Sequence, residues 1–282
     1  MKKGYIAFAA LCAAALASCT CPSAGEQRLR PSEYVSALVG TQSDFSLSTG
    51  NTYPAIALPW GMNFWTPQTG KMGDGWAYAY GAHQVRGFKQ THQPSPWIND
   101  YGQFSLMPVR GEDKFDEESR ASWFSHQSEV AKPYYYKTYL ADHDIRVEIT
   151  PTERAAMMRF TFPDSKESGV VIDAFDRGSQ VGMVDDRTIV GYTTRNSGGV
   201  PENFRNWFVV RFDTPFSAIE LTDAPDGYKP GSNLLYPEGQ KSVTGEHAVA
   251  KVHFAPRRGQ QICASVASSF ISPEQALQNL RE

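Results

Sequence analysis

The sequence predicts an all-β protein, a large antiparallel β-sandwich followed by the start of a C-terminal linker helix. Runs of apolar, β-branched and aromatic residues recur at intervals of roughly 10–15 residues from position 138 onward. Turn signals such as Pro-Asp-Gly and Gly-Gly separate these runs. Aromatic residues make up 12% of the chain, and such residues commonly fill β cores.

The strand pattern is clearest in the second half of the chain. There it predicts strands at Thr138–Leu140, Ile145–Thr150, Ala156–Phe162, Gly169–Asp173, Thr188–Thr194, Asn206–Phe212, Ser217–Leu221, His247–Phe254 and Gln261–Ala267. Earlier, the segment 87–108 reads as an irregular loop that holds Pro94 and Pro96 and then turns into a strand.

The C-terminal residues carry the signature of a helix start. Ser272 is a good N-cap and Pro273 suits the first helical position. We expect Ala276, Leu277 and Leu280 to share one face. The helix either packs on the sandwich or begins a linker to another domain.

The N-terminal residues predict export. A short basic segment precedes the uncharged apolar run Gly4–Ala17, as in a signal peptide covering residues 1–18. Small residues lead to Cys19, which resembles a bacterial lipoprotein cleavage box, so we expect Cys19 to be lipidated and residues 19–30 to form a tether. The alternative is an ordinary signal peptide that is cut nearby without lipid. The lipoprotein interpretation places the protein in the bacterial cell envelope, either in the periplasm or at the outer membrane.

Charge and composition argue against several other classes. The net charge of −3 gives no electrostatic reason to bind nucleic acid. The six histidines show no ligand spacing that predicts a transition metal. An oxidising compartment would allow Cys21 and Cys263 to pair, but the position of Cys21 in the tether favours no disulfide. Cys263 is expected to be a small core residue. The aromatic content is a weak indication of sugar binding.

Several longer sequence pieces resemble a known family. They are Tyr34-Val35, Val39-Gly40-Thr41, Gly50-Asn51-Thr52-Tyr53-Pro54, Leu58-Pro59-Trp60-Gly61-Met62, Gly87-Phe88, Thr91-His92, Asp100-Tyr101-Gly102, Val147-Glu148-Ile149-Thr150, Thr152-Glu153-Arg154, Arg159-Phe160-Thr161-Phe162-Pro163 and Ser268-Ser269-Phe270-Ile271-Ser272. In this order and spacing, the chain from about Pro31 resembles the N-terminal domain of glycoside hydrolase family 92, the calcium-dependent exo-α-mannosidases.

The resemblance implies an architecture and an activity. It implies that residues 31–271 form a sandwich of the galactose-mutarotase-like supersandwich type and that 272–282 begin a linker helix. A helical-barrel domain would then hold the catalytic acid, the catalytic base and the calcium ion, and would hydrolyse terminal α-1,2-type mannosides of glycans with inversion. Because the sequence stops at Glu282, we expect that domain to be missing or separately encoded. No catalytic residue, metal ligand or cofactor is expected in this chain, and the chain alone is expected to be inactive. The alternative is a free-standing carbohydrate-binding or remnant lipoprotein without catalysis.

The chain's own carboxylates offer no better catalytic pair. Asp100 lies in an Asn-Asp-Tyr-Gly loop, where an aspartate commonly accepts backbone N–H hydrogen bonds. No partner acid can be assigned to Glu202, and Asp44 and Asp176 are the two remaining candidates.

The resemblance also implies substrate-binding residues for a mannose-containing glycan. Trp97 matches a tryptophan that reaches the aglycone sugar; the alternative is that it plugs the rim of the sandwich. His92 either contacts the ligand or braces its loop. Phe204, with Asn203 beside it, lines the mannose pocket or is a core residue. Asn51 either faces the pocket or braces a turn. The pair Trp60-Gly61 is interpreted as structural support.

Overall fold

The computed structural model describes residues 29–42, 52–72, 77–92, 100–229, 231, 233–236, 238–239 and 241–282. One compact unit spans Val35–Glu282, and Pro31–Tyr34, a short 3-10 helix, belongs to a separate unit. Trp97, Asn51 and Cys19 lie outside the described residues. Within the described part of the chain, no helix is both long and apolar enough to cross a membrane.

Two antiparallel sheets form the compact unit. The seven-stranded sheet has the order β1-β3-β4-β10-β17-β14-β15, and the nine-stranded sheet has the order β16-β11-β12-β13-β18-β9-β8-β7-β6. A small ribbon pairs β2 with β5. The strands are β1 Phe64–Gln68, β2 Gln84–Val85, β3 Gly87–Thr91, β4 Ser105–Arg110, β5 Ser122–Trp123, β6 Val130–Lys132, β7 Tyr135–Leu140, β8 Ile145–Pro151, β9 Ala155–Thr161, β10 Ser168–Asp173, β11 Ser179–Met183, β12 Thr188–Thr193, β13 Asn206–Phe212, β14 Ala218–Thr222, β15 Leu234–Leu235, β16 Lys241–Gly245, β17 Val249–Phe254 and β18 Gln261–Ser269. The helices are α1 Glu117–Arg120 and α2 Pro273–Asn279.

One hydrophobic cluster joins the facing sides of the two sheets. Phe88 of β3 meets Tyr136 of β7 with ring centroids 6.1 Å apart, and Phe212 of β13 meets Phe254 of β17 at 5.3 Å. These contacts across the two layers are typical of a sandwich core. The predicted all-β antiparallel sandwich is therefore confirmed, and each of the nine predicted strands is present.

The outer faces of the two sheets differ. Along β8 of the nine-stranded sheet, buried residues alternate with more exposed ones, as expected for a sheet with one solvated face. Every residue of β3 and β10 in the seven-stranded sheet is buried, because loops cover its outer face. Polar side chains such as Lys89 and Gln68 are consequently buried there.

Helix α2 packs on the outer face of the nine-stranded sheet. The Ser272 side chain accepts a hydrogen bond from the Gln275 N–H at 3.1 Å, which confirms the predicted N-cap. Ala276 is buried and Leu280 packs beside it against β9, β13 and β18. The prediction for this helix face was wrong for one residue. Leu277 is exposed, and Asn279 is buried against the sheet instead.

Cys263 is half-buried on the outer side of β18 rather than in the core as predicted. In the antiparallel strand its neighbours Ile262 and Ala264 point into the core, so Cys263 points away from it. Burial and the nearby Asp213 raise the pKa of its thiol.

Candidate functional site

Four aromatic rings meet at one end of the sandwich. His92 follows β3, Tyr101 precedes β4, Phe204 precedes β13 and Phe270 follows β18. The His92 ring stacks on Tyr101 with centroids 5.1 Å apart and meets the edge of Phe270 at 5.0 Å. Phe204 lies 6.1 Å from Tyr101 and 5.7 Å from Phe270. We call these four residues the aromatic rim.

The aromatic rim is partly open to solvent. Phe270 is exposed, and Phe204 and Tyr101 are half-buried. Phe204 therefore lies at the rim and not in the sandwich core, which was the alternative for it. Asn203, its neighbour in the loop, is exposed.

Asp100 organises the loop behind the rim. Its carboxylate accepts hydrogen bonds from the His92 N–H at 2.9 Å and from the Tyr101 N–H at 2.8 Å. The carboxylate is buried, and this use of it confirms the structural role predicted for Asp100. Tyr53, hydrogen-bonded to Thr91, lies close by, and its pKa is raised first by burial and then by the charge of Asp100.

The His92 side chain is held in one orientation. Its Nδ1 lies 2.8 Å from the carbonyl oxygen of Tyr101, and since a carbonyl only accepts, Nδ1 is the donor. Nε2 is buried and has no hydrogen-bond partner among the described residues. His92 thus braces its loop through Nδ1.

A ladder of buried polar side chains supports the rim from behind. Gln90 donates to the Ser268 hydroxyl at 2.8 Å and accepts from the Asn206 amide at 2.9 Å. Asn206 also donates to the carbonyl of Gly102 at 2.6 Å. Asn279 of α2 donates to the Ser268 carbonyl at 2.8 Å. The ladder ties both sheets and helix α2 to the loop that carries Tyr101.

The structure brings together only some of the residues that the sequence singled out. His92 and Phe204 belong to one cluster, whereas Trp97 and Asn51 fall outside the described residues. Tyr101 and Phe270 were missed as site residues. Both were present in the quoted motifs, each as an aromatic residue at the boundary between a loop and a strand.

The described residues do not provide a calcium site. They contain no group of three or more histidine, cysteine, aspartate or glutamate side chains arranged to hold a metal ion. Asp100, the carboxylate nearest the rim, is committed to two backbone N–H groups.

Fold and rim together define an antiparallel β-sandwich domain with an aromatic site at one end. The model of the glycosyl hydrolase family 92 N-terminal domain matches residues 34–269 of this sequence. The chain therefore belongs to glycosyl hydrolase family 92, as its N-terminal domain. The resemblance predicted from the sequence motifs is confirmed.

Solved structures of family members superpose well on this chain. An inverting mannosidase of family 92 from Bacteroides thetaiotaomicron is 41% identical, with a TM-score of 0.80 over 90% of this chain and 34% of its own. An α-mannosidase of the same family and organism is 27% identical, with a TM-score of 0.75. The match covers 89% of this chain and 34% of the α-mannosidase. That α-mannosidase has also been solved in complex with mannoimidazole.

A curated relative comes from Arthroderma benhamiae, where it is described as an uncharacterized secreted glycosidase. It is 30% identical over 137 residues, which are 46% of this chain and 17% of the relative. The chain thus spans about a third of the solved relatives and less of this curated one.

Proposed function

We propose that this chain is the pocket-completing N-terminal domain of an exported exo-mannosidase that hydrolyses terminal α-1,2-type mannosides of glycans with inversion. The observation that carries the proposal is the aromatic rim, in a chain that belongs to a family of mannosidases. Flat rings that are partly open to solvent, as those of Phe204 and Phe270 are, suit the apolar C–H face of a pyranose.

The proposal divides the work between two domains. The sandwich supplies binding groups, namely His92, Asn203 and Phe204, with Trp97 and Asn51 assigned by the resemblance. The helical-barrel domain supplies the two carboxyl groups that an inverting glycosidase needs and the calcium ion of the family. The engagement of Asp100 with backbone N–H groups supports this division, because it leaves that carboxylate poorly placed to transfer a proton.

We also propose that the protein is exported and anchored by lipid on Cys19. The apolar run Gly4–Ala17 before this cysteine motivates the proposal. The secreted description of the Arthroderma benhamiae relative agrees with export and is silent on the anchor.

The experiment compares the chain alone with a chimaera. In the chimaera, the region that follows the N-terminal domain in the 41% identical mannosidase is fused after Glu282. We expect the chimaera to release mannose from α-1,2-mannobiose and the chain alone to release none. Calcium-dependent release by the chain alone would contradict the division of work.

Two rim variants then test the role of the sandwich. Trp97→Ala or Phe204→Ala removes a stacking surface worth about 1–3 kcal/mol, by analogy with bases on aromatic platforms. We expect kcat/KM on the disaccharide to fall roughly ten- to a hundredfold. An aryl mannoside should show a smaller loss with Trp97→Ala, because its leaving group depends less on the aglycone subsite. Tyr236→Ala, at an exposed tyrosine beyond β15, is the matched control.

Two other outcomes would reject the assignment. An equal loss on both substrates, with a lower melting temperature, would make Trp97 a structural plug. Mannoside binding by the chain, with an inactive chimaera, would favour a carbohydrate-binding protein without catalysis.

A further inference from the structure

Trp60 lies outside the aromatic rim, and its exposure and backbone conformation are both unusual for a tryptophan. Its side chain is fully exposed, which contradicts the interpretation of Trp60 as structural support. Its backbone has φ 66°, in the left-handed region that a bulky residue rarely adopts. A large apolar ring is thus presented to solvent on a strained backbone, and such strain is often kept where it serves a function.

The turn that carries Trp60 is firmly held. The Gly61 N–H donates to the Leu58 carbonyl at 3.0 Å, and the Met62 N–H donates to the Glu153 carbonyl at 2.7 Å. Asn63 donates to the Arg154 carbonyl at 3.0 Å. Residues 61–63 are therefore held against the turn between β8 and β9, and the Trp60 side chain projects from this fixed backbone into solvent.

The last residue of the sequence lies against the same turn. The Glu282 carboxylate accepts from the Thr152 hydroxyl at 2.9 Å and from the Arg154 N–H at 3.0 Å, and it pairs with the Arg154 guanidinium. Polypeptide that follows an N-terminal domain of this family would start beside Trp60. The matched region makes up only 34% of the solved relatives, so those proteins have a large further region to place.

We propose that Trp60 anchors this domain to the protein region that follows it in family 92 enzymes. The inference rests on the proposed function, in which a second domain completes the enzyme. Tryptophan is enriched among residues that dominate interface energetics, and a backbone that is already held in place does not have to be ordered on docking. A glycan fits the surroundings less well, because the flanking charges are paired with each other: Arg154 contacts both Glu282 and Glu153. Sugar sites need polar groups that are free to converge on the ligand.

Fluorine NMR on the chimaera described above tests the proposal. With 5-fluorotryptophan, the Trp60 resonance, assigned with Trp60→Phe, should show a solvent isotope shift in the chain alone and lose it in the chimaera. The resonance of Trp123, another exposed tryptophan, is the internal reference and should keep its shift in both proteins. Trp60 remaining exposed in the chimaera would overturn the proposal, and so would a Trp60 signal that responds to mannobiose in the chain alone.

Two variants separate docking from folding. In the chain alone, Trp60→Ala should leave the melting temperature nearly unchanged, and Trp60→Gly should raise it because glycine relieves the backbone strain. In the chimaera, both variants should split a single unfolding transition into two. An unsplit transition would count against the proposal. Trp123→Ala should leave the transition single.

Turnover is measured separately, so the two proposals can fail independently. A chimaera in which Trp60 is buried but no mannose is released would keep the docking surface and reject the enzyme assignment. If the chimaera is active, and Trp60→Ala changes neither its turnover nor its single unfolding transition, the enzyme assignment would stand and the docking surface would be rejected.

Discussion

At the scale of single residues, the candidate site depends on a close approach at Gly102. This residue has φ +63°, and a Cβ atom there would lie 2.7 Å from the Asn206 Cβ and 3.0 Å from a ring carbon of Phe270. Glycine is therefore needed twice, for the left-handed backbone and for the space. The same approach lets the Asn206 amide reach the Gly102 carbonyl at 2.6 Å.

Gly102→Ala should lower the free energy of unfolding more than an alanine substitution at a glycine that has a positive φ but open space around it. We expect a backbone cost of about 1–2 kcal/mol and an overpacking cost of about 1–3 kcal/mol. Gly199→Ala is the matched control, since Gly199 has φ +76° and nothing lies within 4 Å of its added Cβ. Urea unfolding of both variants measures the difference. Equal losses would show that the loop moves away from Asn206 at little cost.

At the scale of secondary-structure elements, a buried charge cluster joins three segments at the end of β10. Asp173 accepts from Arg120 of α1 at 2.7 Å, from His247 before β17 at 2.7 Å and from the Phe175 N–H at 2.9 Å. Burial alone would raise the pKa of Asp173, but the charges of Arg120 and His247 hold it far below its usual range. Burial lowers the pKa of His247, yet the charge and hydrogen bond of Asp173 outweigh burial and raise it.

The cluster predicts a pH dependence of stability with a definite sign. Because the folded pKa of His247 is raised, its contribution is complete below the unfolded value of about 6.5 and is lost as pH rises through the folded pKa. Asp173 acts oppositely: its contribution is present above about pH 3.9 and is lost as pH falls toward its lowered pKa.

His247→Gln should remove the decline of unfolding free energy above about pH 6.5, whose slope for a single group is at most about 1.4 kcal/mol per pH unit. His83→Gln, at an exposed histidine, should keep the decline. Denaturant unfolding from pH 5 to 9 makes the comparison. An unchanged slope in His247→Gln would rule out His247 as its source.

At the scale of the whole molecule, the sequence predicts an export signal ahead of a sandwich with one aromatic end. The uncharged run Gly4–Ala17 and the cysteine that follows it are the features that concern location. Two or more acyl chains anchor a protein stably, whereas one chain anchors it marginally.

Cys19→Ala should release the protein from membranes into the soluble envelope fraction. Cys21→Ala is the matched control and should stay with the membranes, because it lies two positions beyond the cleavage box. Fractionation followed by metabolic labelling with a fatty acid measures both effects. Equal membrane retention of the two variants would contradict lipidation at Cys19.

Local patterns in the sequence determined much of the nine-stranded sheet. β8 and β13 alternate between an inner apolar face and an outer face, so their period of two is visible without a structure. The start of α2 was equally local, because the Ser272 cap and Pro273 act within one turn. The family followed from motifs spread over the chain, and with it His92, Asn203 and Phe204 as candidate residues.

Tertiary structure decided what depends on distant neighbours. β1 and β3 were missed as strands because loops bury the polar residues of their outer face, which removes the alternation. Asn279 replaced Leu277 on the buried side of α2 because its amide reaches the Ser268 carbonyl, a contact between two separate elements. The rim itself joins residues 92, 101, 204 and 270. Its assembly and the orientation of His92 depend on the pairing of β3 with β4 and of β13 with β18, and no local pattern encodes such long-range pairing.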